Sequence, residues 1–419
     1  MGGPHLAWAL AVPGTAERTA HIFTFDGYLR FWAEDRPDAI AIDTGADLIR
    51  FAELDLVTAK VAAGLADLGV GAGDRIAWYG HDAALFLVVL FAAARSGVVM
   101  VPIDPALPAA MARTIADDAG ARLVFAQRDQ TVQDADFAGL CSVVRVFDPD
   151  QTRAWIAGLR PGGFALPSPN AAVLQIYETA CTAGRHGVVL SHCNLLGLRK
   201  AVLGHDLPHV APDDGEAMLV AMPFWQIAGI GPVVLALAAG LAVAVRSADD
   251  PGAMIDALAK RRATRLYMAP DTLAAMLSRP ELARIGRKQV RMIVCGPRAL
   301  PTGLRRAVRT RLGATLIRSY GVPETAGTVA MLPPGIAAGP HAVGQALPGV
   351  EIGIVDDAGN AVPTGATGTI RIRSAGTMLG YWNQPQATAA TLTHDGWIVT
   401  RDRGYLDPDG VLHLHHGDG

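Results

Sequence analysis

The order of apolar and polar residues in the first part of the chain predicts strands and helices in alternation. Short continuous apolar runs are typical of buried strands, and longer runs that stop at a glycine are typical of helices. The predicted strands are Ala39–Asp43, Arg75–Tyr79, Val98–Ile103 and Arg122–Ala126, and the predicted helices are Phe51–Leu68, Ala83–Ser96 and Ala109–Gly120. Such alternation favours parallel sheets with helices on their faces.

The same alternation continues through the middle of the chain and then changes. Predicted strands there are Ala172–Tyr177, Ala217–Met222, Leu241–Val245, Arg265–Met268, Arg291–Val294 and Thr315–Arg318, and predicted helices are Pro251–Lys260, Asp271–Leu277 and Thr302–Arg311. After Pro340, the runs Val350–Asp356 and Gly368–Ser374 are short, alternate in polarity and are bounded by turn residues. This pattern is typical of small antiparallel sheets or barrels.

Composition and charge exclude several classes of protein. Hydrophobic residues make up 51% of the 419 residues and charged residues 18%, so the chain can bury a large core and is not intrinsically disordered. The net charge of −3 does not indicate the positively charged surface that nucleic-acid-binding proteins carry. The cysteines lie far apart, and the N-terminus lacks the pattern of a signal peptide, so we expect a reducing, cytoplasmic location without disulfides or a zinc site. The four cysteines are Cys141, Cys181, Cys193 and Cys295.

One uncharged stretch, Ile227–Val245, is long enough to be compared with a membrane span. Glycines and Pro232 interrupt it, which favours a helix at Pro232–Ala239 followed by a buried strand at Leu241–Val245. We therefore expect no membrane span.

The segment from Tyr177 to Leu195 is rich in small and hydroxylated residues. It follows a predicted strand and leads into a predicted helix that is capped near Ser191 or Asn194. A loop between a strand and a helix can hold phosphates, because backbone N–H groups converge on anionic oxygens. Taken alone, the residues are equally compatible with an ordinary polar connection.

This segment and four later blocks resemble the motifs of the adenylate-forming superfamily, which includes acyl-CoA synthetases, peptide-synthetase adenylation domains and luciferases. Residues 177–195 resemble the phosphate loop Y-T-S-G-T-T-G-x-P-K-G-V and the following L-S-H-x-N-L. Residues 223–229 resemble the acyl-pocket motif P-x-F-H-x-x-G, 295–301 the G-G-A-P-L stretch, and 319–325 the motif Y-G-x-T-E. Residues 368–373, 380–383 and 396–406 resemble G-E-I-x-V-R-G, G-Y-x-N and T-G-D-x-G-Y. The blocks occur in family order across nearly the whole chain, so the resemblance is specific.

The resemblance implies a nucleotide site made by residues from several blocks. Tyr320 matches the aromatic residue that stacks on adenine, and Asp402 matches the aspartate that binds the ribose hydroxyls. Glu324 matches the glutamate that binds Mg²⁺ and is predicted to be a catalytic and metal-binding residue. A single Glu or Asp on a loop can also be a solvated residue or a helix cap. The other residues predicted to bind the nucleotide are Gly296, Pro297, Arg298, Ser319 and Gly321.

The phosphate loop departs from the family pattern. Thr179 and Thr182 keep their hydroxyls and, together with His186, are the loop residues predicted to be catalytic. Ala180 and Ala183 replace glycines, however, and His186 itself replaces the lysine. Added Cβ atoms crowd a backbone that must approach phosphates, and a largely neutral histidine does not replace an ammonium. Arg185, next to it, is an alternative source of positive charge. We expect the half of the site that binds AMP to be kept and the half that binds the β- and γ-phosphates to be weakened.

The acyl-pocket block predicts the substrate class in outline. Trp225 stands where relatives that activate amino acids place an aspartate, so an α-amino acid is disfavoured. Gln226 replaces the family's histidine, and Gly229 ends the motif. These three residues are the predicted substrate contacts. The apolar residues that follow favour an aryl or fatty carboxylic acid, although such a run is also typical of plain helix core.

Two functions follow from the resemblance. The first is an acid ligase of the acyl-CoA synthetase type, which uses ATP and Mg²⁺ to form an acyl-adenylate and passes the acyl group to coenzyme A or a carrier-protein thiol. The second is a degenerate member that binds AMP, an acyl-adenylate or an acyl thioester without activating the acid, as a pseudoenzyme or a partner-dependent protein. The altered phosphate loop motivates the second function.

The resemblance also predicts the architecture. We expect an α/β fold in which two subdomains, residues 1–190 and 191–340, pack as αβαβα layers, with a small β-barrel-like subdomain at 341–419. Family members continue with a mobile C-terminal domain that carries a catalytic lysine, and the sequence matches the large N-terminal domain without that segment. The ligand cleft is expected where the three parts meet.

Overall fold

A computed structural model describes residues 18–127, 137, 139, 149–177, 186–202, 217–296, 298, 300–333, 339 and 341–415. Its strands are β1 (Ile40–Asp43), β2 (Leu48–Arg50), β3 (Arg75–Tyr79), β4 (Val99–Ile103), β5 (Ala121–Ala126), β6 (Ala172–Tyr177), β7 (Gly187–Ser191), β8 (Ala217–Ala221), β9 (Ala242–Val245), β10 (Arg265–Met268), β11 (Met292–Cys295), β12 (Thr315–Val322), β13 (Gly327–Met331), β14 (Ala342–Ala346), β15 (Glu351–Val355), β16 (Gly368–Arg373), β17 (Gly380–Tyr381), β18 (Ile398–Leu406) and β19 (Val411–His415).

The α-helices in the same described part of the chain are α1 (Phe25–Asp35), α2 (Phe51–Asp67), α3 (Ala83–Ser96), α4 (Ala109–Asp118), α5 (Pro149–Gly158), α6 (His192–Val202), α7 (Ile227–Ala238), α8 (Pro251–Arg261), α9 (Pro270–Ser278), α10 (Thr302–Arg311) and α11 (Pro385–Thr391). Two 3₁₀ turns, Pro280–Arg284 and Pro323–Thr325, connect strands and helices of the second half. None of these helices is both long and apolar enough to cross a membrane.

Two sheets organise the described residues. The first has the strand order β17-β7-β6-β4-β3-β5, and its β6, β4, β3 and β5 run parallel. The second has the order β15-β16-β18-β19-β14-β13-β12-β11-β10-β8-β9-β1-β2. It is parallel from β12 to β1 and antiparallel on both sides of that region.

The side chains of alternate strand residues separate the molecule into layers. Ile76 and Trp78 of β3 join a central core that also contains Met218 and Val220 of β8 and residues of helices α1, α2, α3 and α7. Their neighbours on the opposite faces pack elsewhere: Ala77 packs with α4, and the alternate residues of β8 pack with α8, α9 and α10. Successive side chains of a strand point to opposite faces, so each sheet is covered on both sides. The layers are therefore helix, sheet, helix, sheet, helix, as the sequence predicted.

Local signals explain why several elements have the bounds that the sequence predicted, namely β3, β6, β10, α3 and α10. Helix α3 begins after Asp82, whose side chain accepts a hydrogen bond from the backbone N–H of Leu85. It ends at Gly97, whose φ of 72° lies in the left-handed region that favours glycine. Between these caps the helix is apolar on all sides and almost wholly buried, which matches its place in the central layer.

The prediction for the segment after Tyr177 was wrong in one respect. It placed a phosphate-type loop between a strand and a helix, but residues 187–191 form β7, which pairs antiparallel with β6 before α6 begins at His192. The run Gly187-Val-Val-Leu-Ser191 is buried throughout, and a short apolar run does not distinguish a strand from the approach to a helix. Residues 178–185 themselves, including Thr179 and Thr182, lie outside the described part of the chain.

Helix α7 also begins earlier than predicted. It starts at Ile227 rather than at Pro232, which lies inside it. The backbone carbonyl of Gln226 accepts hydrogen bonds from Gly229 and Ile230, so a first turn forms before the proline. The uncharged stretch thus divides into α7 and β9, as expected, with a longer helix.

The sheets do not follow the three predicted segments in every strand. Strands β1 and β2 belong to the predicted first subdomain, yet they extend the second sheet beside β9. Strand β17 belongs to the predicted last subdomain, yet it pairs with β7 of the first sheet. The other strands after residue 340 are antiparallel, as predicted, and continue the second sheet. The boundaries at 190 and 340 remain a prediction about folding units.

Candidate functional site

The predicted adenine and ribose residues lie together. The hydroxyl of Tyr320, on β12, donates a hydrogen bond of 2.7 Å to Oδ2 of Asp402, on β18. Tyr320 is 2% exposed, whereas Asp402 is exposed. Burial raises the pKa of Tyr320, and the neighbouring Asp402 carboxylate raises it further. The hydroxyl therefore stays protonated and acts as the donor.

This contact requires the second sheet to curl. Strands β13, β14 and β19 lie between β12 and β18 in the sheet. At about 4.8 Å per step, the four steps across a flat sheet would separate the two strands by roughly 19 Å. A tyrosine and an aspartate cannot bridge that distance, so the antiparallel part of the sheet folds back over the end of β12. The curl brings Asp402 to the end of the parallel strands.

Glu324 lies in the 3₁₀ turn that follows β12, and a second tyrosine holds it. The hydroxyl of Tyr381, on β17, donates a hydrogen bond of 2.7 Å to Oε1 of Glu324, and the backbone N–H of Met378 donates to the Glu324 carbonyl at 2.8 Å. Burial raises the pKa of Tyr381, and the hydrogen bond to Glu324 raises it further. Glu324 also contributes to the raised pKa of Tyr320. Glu324 and Asp402 therefore both lie close enough to Tyr320 to raise its pKa.

His186 stands next to this tyrosine at the described end of the phosphate-type loop. Its ring lies against the Tyr381 ring, with the centroids 4.7 Å apart, and Nδ1 contacts the side-chain oxygen of Gln384. The pairing of β17 with β7 produces this arrangement, because Tyr381 lies opposite Val188. His186, Tyr381 and Glu324 therefore form a continuous row of contacts.

The residues around Tyr320 are fixed by close backbone contacts. The hydroxyl of Ser319 donates to the carbonyl of Cys295 at 3.1 Å, which ties β12 to the end of β11. A Cβ on Gly321 would lie 1.8 Å from the carbonyl oxygen of Gly327, so β12 and β13 meet there at a distance that glycine alone permits. A Cβ on Gly296 would meet nothing within 4 Å. There is therefore open space beside Gly296, directly after the end of β11.

An apolar cavity lies between helices α6 and α7 and the second sheet. It reaches the residues that flank Tyr320, because Gly296, Ser319 and Gly321 form part of its wall. Leu195 and Leu198 of α6 and Leu235 of α7 contribute to the apolar wall on the helix side. Three of the residues predicted to bind the nucleotide thus also form part of the wall of the apolar cavity.

The predicted acyl-pocket residues lie beside this cavity rather than in its described wall. Trp225 and Gln226 precede α7, and Gln226 is exposed. Gly229 faces the carbonyl of Pro223, which a Cβ would approach to 2.0 Å. The wall is made instead by the neighbouring Ile227 and Ala228 and by Gly231 one turn later. The substrate role of Trp225, Gln226 and Gly229 remains a prediction.

Arg298 does not join the cluster. Its side chain is 79% exposed and lies 3.5 Å from Asp271, which is a surface ion pair. Pro297 lies outside the described residues. Tyr381 was missed as a functional residue, although its motif G-Y-x-N was recognised, because its partner Glu324 is 57 positions away in the sequence.

The described residues hold no group of three or more metal-ligating side chains. Glu324 nevertheless fits the requirement of Mg²⁺, which usually takes one or two protein carboxylates and completes its shell with waters and substrate phosphates. Oε1 of Glu324 accepts from Tyr381, and within the described part of the chain no side chain donates to Oε2. That oxygen can serve as a ligand to a hard cation.

Comparisons with known proteins identify the family. The family model described as AMP-binding enzyme matches residues 29–382. The chain is 32% identical over 391 residues to an indoleacetate–CoA ligase of Aromatoleum aromaticum, covering 88% of this chain and 75% of the relative. It is 28% identical over 393 residues to the fatty acid–[acyl-carrier-protein] ligase ScoC of Streptomyces coeruleorubidus, covering 92% and 75%. The structure of apo MatB from Rhodopseudomonas palustris superposes with a TM-score of 0.82 at 26% identity, covering 93% of this chain and 78% of that one. The chain therefore belongs to the AMP-binding enzyme family of adenylate-forming ligases.

Proposed function

We propose that this chain activates a carboxylic acid with ATP and transfers the acyl group to a thiol. The observation that supports this function most directly is that the wall of the apolar cavity includes Ser319 and Gly321, the chain neighbours of Tyr320, whose hydroxyl donates to Asp402. An acid whose body lies in the cavity would present its carboxylate beside a nucleotide bound at that pair. Family membership and the ligase names of the relatives support the same reaction.

The proposed reaction has two steps. In the first, a carboxylate oxygen of the acid attacks the α-phosphorus of ATP, the bond to the β-phosphate oxygen breaks, and acyl-AMP and pyrophosphate form. In the second, the thiolate of coenzyme A or of a carrier protein attacks the acyl carbonyl, and AMP leaves with the bonding electrons. The protein's task in such transfers is mainly positioning and charge stabilisation.

Each residue of the site has a proposed part in this reaction. Tyr320 presents its ring to the adenine, while Asp402 accepts hydrogen bonds from the ribose hydroxyls. Glu324 holds Mg²⁺ through its carboxylate, and Tyr381 fixes the orientation of that carboxylate. When bound, the cation neutralises charge on the phosphate oxygens. Ser319, Gly296 and Gly321 shape the boundary between nucleotide and acid.

A second candidate function rests on His186. The family places a lysine there, but His186 contacts the neutral amide of Gln384 and the Tyr381 ring. A site without that positive charge would bind AMP or an acyl-adenylate and bind ATP weakly. In this case the chain would use or hold an activated acyl group that another enzyme made.

One experiment separates the two candidates. The full chain is incubated with MgATP and a panel of aryl, fatty and dicarboxylic acids, and pyrophosphate release is measured alongside calorimetric binding of ATP and AMP. Acid-dependent pyrophosphate release supports the ligase. Binding of AMP without binding of ATP, and without pyrophosphate release for any acid, would overturn it in favour of the second candidate.

A further inference from the structure

Helix α6 places one charged residue on a face that is otherwise apolar. Leu195, Leu198 and Arg199 all line the cavity. Residues three and four positions apart lie on the same face of a helix, so the two leucines and the arginine form one continuous strip. A helix that packs against an apolar chamber normally carries an apolar residue at each such position. The arginine therefore requires a separate explanation.

Arg199 is buried without a negatively charged partner. It is 5% exposed. Its Nη1 donates to the Tyr28 hydroxyl at 2.6 Å, its Nη2 lies 3.5 Å from Oγ1 of Thr19, and its guanidinium stands 4.8 Å from the centre of the Tyr28 ring. No carboxylate of the described residues lies within ion-pair distance of it. The next residue along the helix, Lys200, is a second cation.

The partners of Arg199 among the described residues do not balance its charge. A guanidinium has five N–H donors, and the two oxygens that it contacts belong to neutral hydroxyl groups. Burial lowers the pKa of Arg199 and raises that of Tyr28, so Tyr28 remains a neutral phenol. A buried charge is costly unless a counter-charge and hydrogen bonds accompany it. Because Arg199 lines the cavity, a ligand bound there can supply both.

We propose that the acid activated by this chain carries a second carboxylate at the end distal to the reacting one, and that Arg199 binds it in the cavity. This inference rests on the proposed function. A planar guanidinium binds a carboxylate through two parallel hydrogen bonds, which gives direction as well as charge. Arg265 of β10, which is also buried, is a second arginine in the cavity wall, and the apolar residues that make up most of the wall fit an apolar spacer between the two carboxylates. The substrate class is thus an α,ω-dicarboxylic acid or an aryl dicarboxylic acid.

The same arginine disfavours simple monocarboxylic acids. The single carboxylate of such an acid is drawn to Arg199, and its apolar tail then points to the nucleotide, where it cannot react. A dicarboxylic acid satisfies Arg199 and still presents a carboxylate to ATP. Monocarboxylic acids of the same length are therefore expected to bind in the cavity as competitive inhibitors.

The test compares three matched sets of acids with the full chain. These are dicarboxylic acids of increasing chain length, the monocarboxylic acids of equal length, and the mono-methyl esters of the diacids, in which the distal group is a neutral acceptor. Pyrophosphate release gives kcat/KM for each acid, and calorimetry gives its affinity in the absence of ATP. We expect the wild-type protein to favour the best diacid over its monoacid and its ester by at least about tenfold in kcat/KM.

Four variants identify the residue responsible. Arg199→Met is expected to remove the preference, lowering kcat/KM for the diacid at least about tenfold while that of the monoacid stays equal or rises. Arg199→Lys keeps the charge and is expected to retain part of the preference. Tyr28→Phe removes a structural contact of Arg199 but not its charge, and Lys200→Met removes the neighbouring cation; both are expected to keep the preference.

The outcomes separate this inference from the proposed function. If no acid supports pyrophosphate release or shows binding, the proposed function fails. If acids are activated but the wild-type protein does not favour diacids, or if Arg199→Met changes both classes equally, the assignment of Arg199 is overturned and the proposed function stands. Because the wild-type preference alone can refute the assignment, the test does not depend on the folding of Arg199→Met.

Discussion

At the scale of single residues, two tyrosines determine how the carboxylates of the site are presented. Tyr320 donates to Asp402 and Tyr381 donates to Glu324, each at 2.7 Å. A carboxylate that accepts a fixed donor on one oxygen presents the other oxygen in a defined direction. Groups that hold a ligand in this way typically affect metal binding about 10- to 100-fold. The two hydroxyls are therefore expected to matter for binding although neither touches the reacting atoms.

Tyr381→Phe tests this role at Glu324. The substitution keeps the ring against His186 and removes the hydroxyl, so the carboxylate loses its orientation. We expect the Mg²⁺ concentration that supports half-maximal ATP binding to rise about tenfold, and the free energy of unfolding to fall by about 1 kcal/mol. Calorimetric titrations at several Mg²⁺ concentrations measure the first effect, with Tyr405→Phe as a control outside the site. Equal Mg²⁺ dependence in Tyr381→Phe and wild type would contradict the orienting role.

The buried His192 makes the stability of the folded chain depend on pH. It is fully buried, its Nδ1 accepts from the backbone N–H of Phe25 at 3.3 Å, and burial lowers its pKa from 6.5 to about 4. The unfolded chain binds a proton at His192 near pH 6.5, whereas the folded chain does not until near pH 4. Stability that is present above pH 6.5 is therefore lost progressively as the pH falls toward 4.

The contribution of His192 can be measured against a neutral variant. As the pH falls from about 7.5 to about 5, the low pKa of His192 in the folded chain is expected to lower the free energy of unfolding by about 2 kcal/mol. Urea denaturation of wild type and His192→Gln at both pH values isolates this part, because the other titrating groups are common to the two proteins. We expect a flatter pH dependence in His192→Gln. Parallel curves would show that His192 is charged or exposed in the folded state.

At the scale of elements, the contact between β12 and β13 holds in place the β12 residues that are predicted to bind the nucleotide, Ser319 to Gly321. At Gly321 the backbone of β13 is so close that a Cβ would lie 1.8 Å from the Gly327 carbonyl, whereas at Gly296 a Cβ meets nothing within 4 Å. We expect Gly321→Ala to lower the free energy of unfolding by about 1–3 kcal/mol or more, and Gly296→Ala to change it by less than about 0.5 kcal/mol. Urea denaturation of the two variants measures both. Similar stability of the pair would contradict the close approach at Gly321.

Elements with strong local signals could be predicted from the sequence, and those that depend on distant partners could not. Helix α3 has a side-chain cap at Asp82 and a glycine at its end, so its bounds follow from adjacent residues. Strand β7 has neither, and its identity depends on pairing with β6 and β17. The short apolar run Gly187–Ser191 is therefore ambiguous without its partners.

The candidate site, too, could be predicted from the sequence only in part. Tyr320, Glu324 and Asp402 stand in motifs that can be recognised in the sequence, and the structure brings them to one site. Their pairing with Tyr381 and with each other could not be predicted, because it results from the curl of the second sheet and from the crossing of β17 to the first sheet. Arg199 lies in no motif that points to its function, and its burial beside a cavity is visible only in three dimensions.

At the scale of the whole molecule, two sheets share a central core and the site lies where the second sheet curls back on itself. The core contains residues of both sheets and of helices α1, α2, α3, α6 and α7, so α6 and α7, which line the apolar cavity, are also part of the main packing. The residues predicted to bind the nucleotide lie at the ends of β11 and β12, at the edge of the parallel region. Ligand sites commonly form at such junctions. We propose that this junction binds the nucleotide, with the ribose at Asp402.

Calorimetric titration of AMP into wild type and Asp402→Asn tests that claim most directly. We expect one AMP to bind per wild-type chain, and the affinity of Asp402→Asn to be about 10- to 100-fold lower, because a charge-assisted hydrogen bond of about 1.5–3 kcal/mol is lost. Asp409→Asn, in the exposed turn between β18 and β19, is the matched control and should bind AMP as the wild type does. Absence of AMP binding to the wild-type protein, or equal affinity of wild type and Asp402→Asn, would contradict the claim.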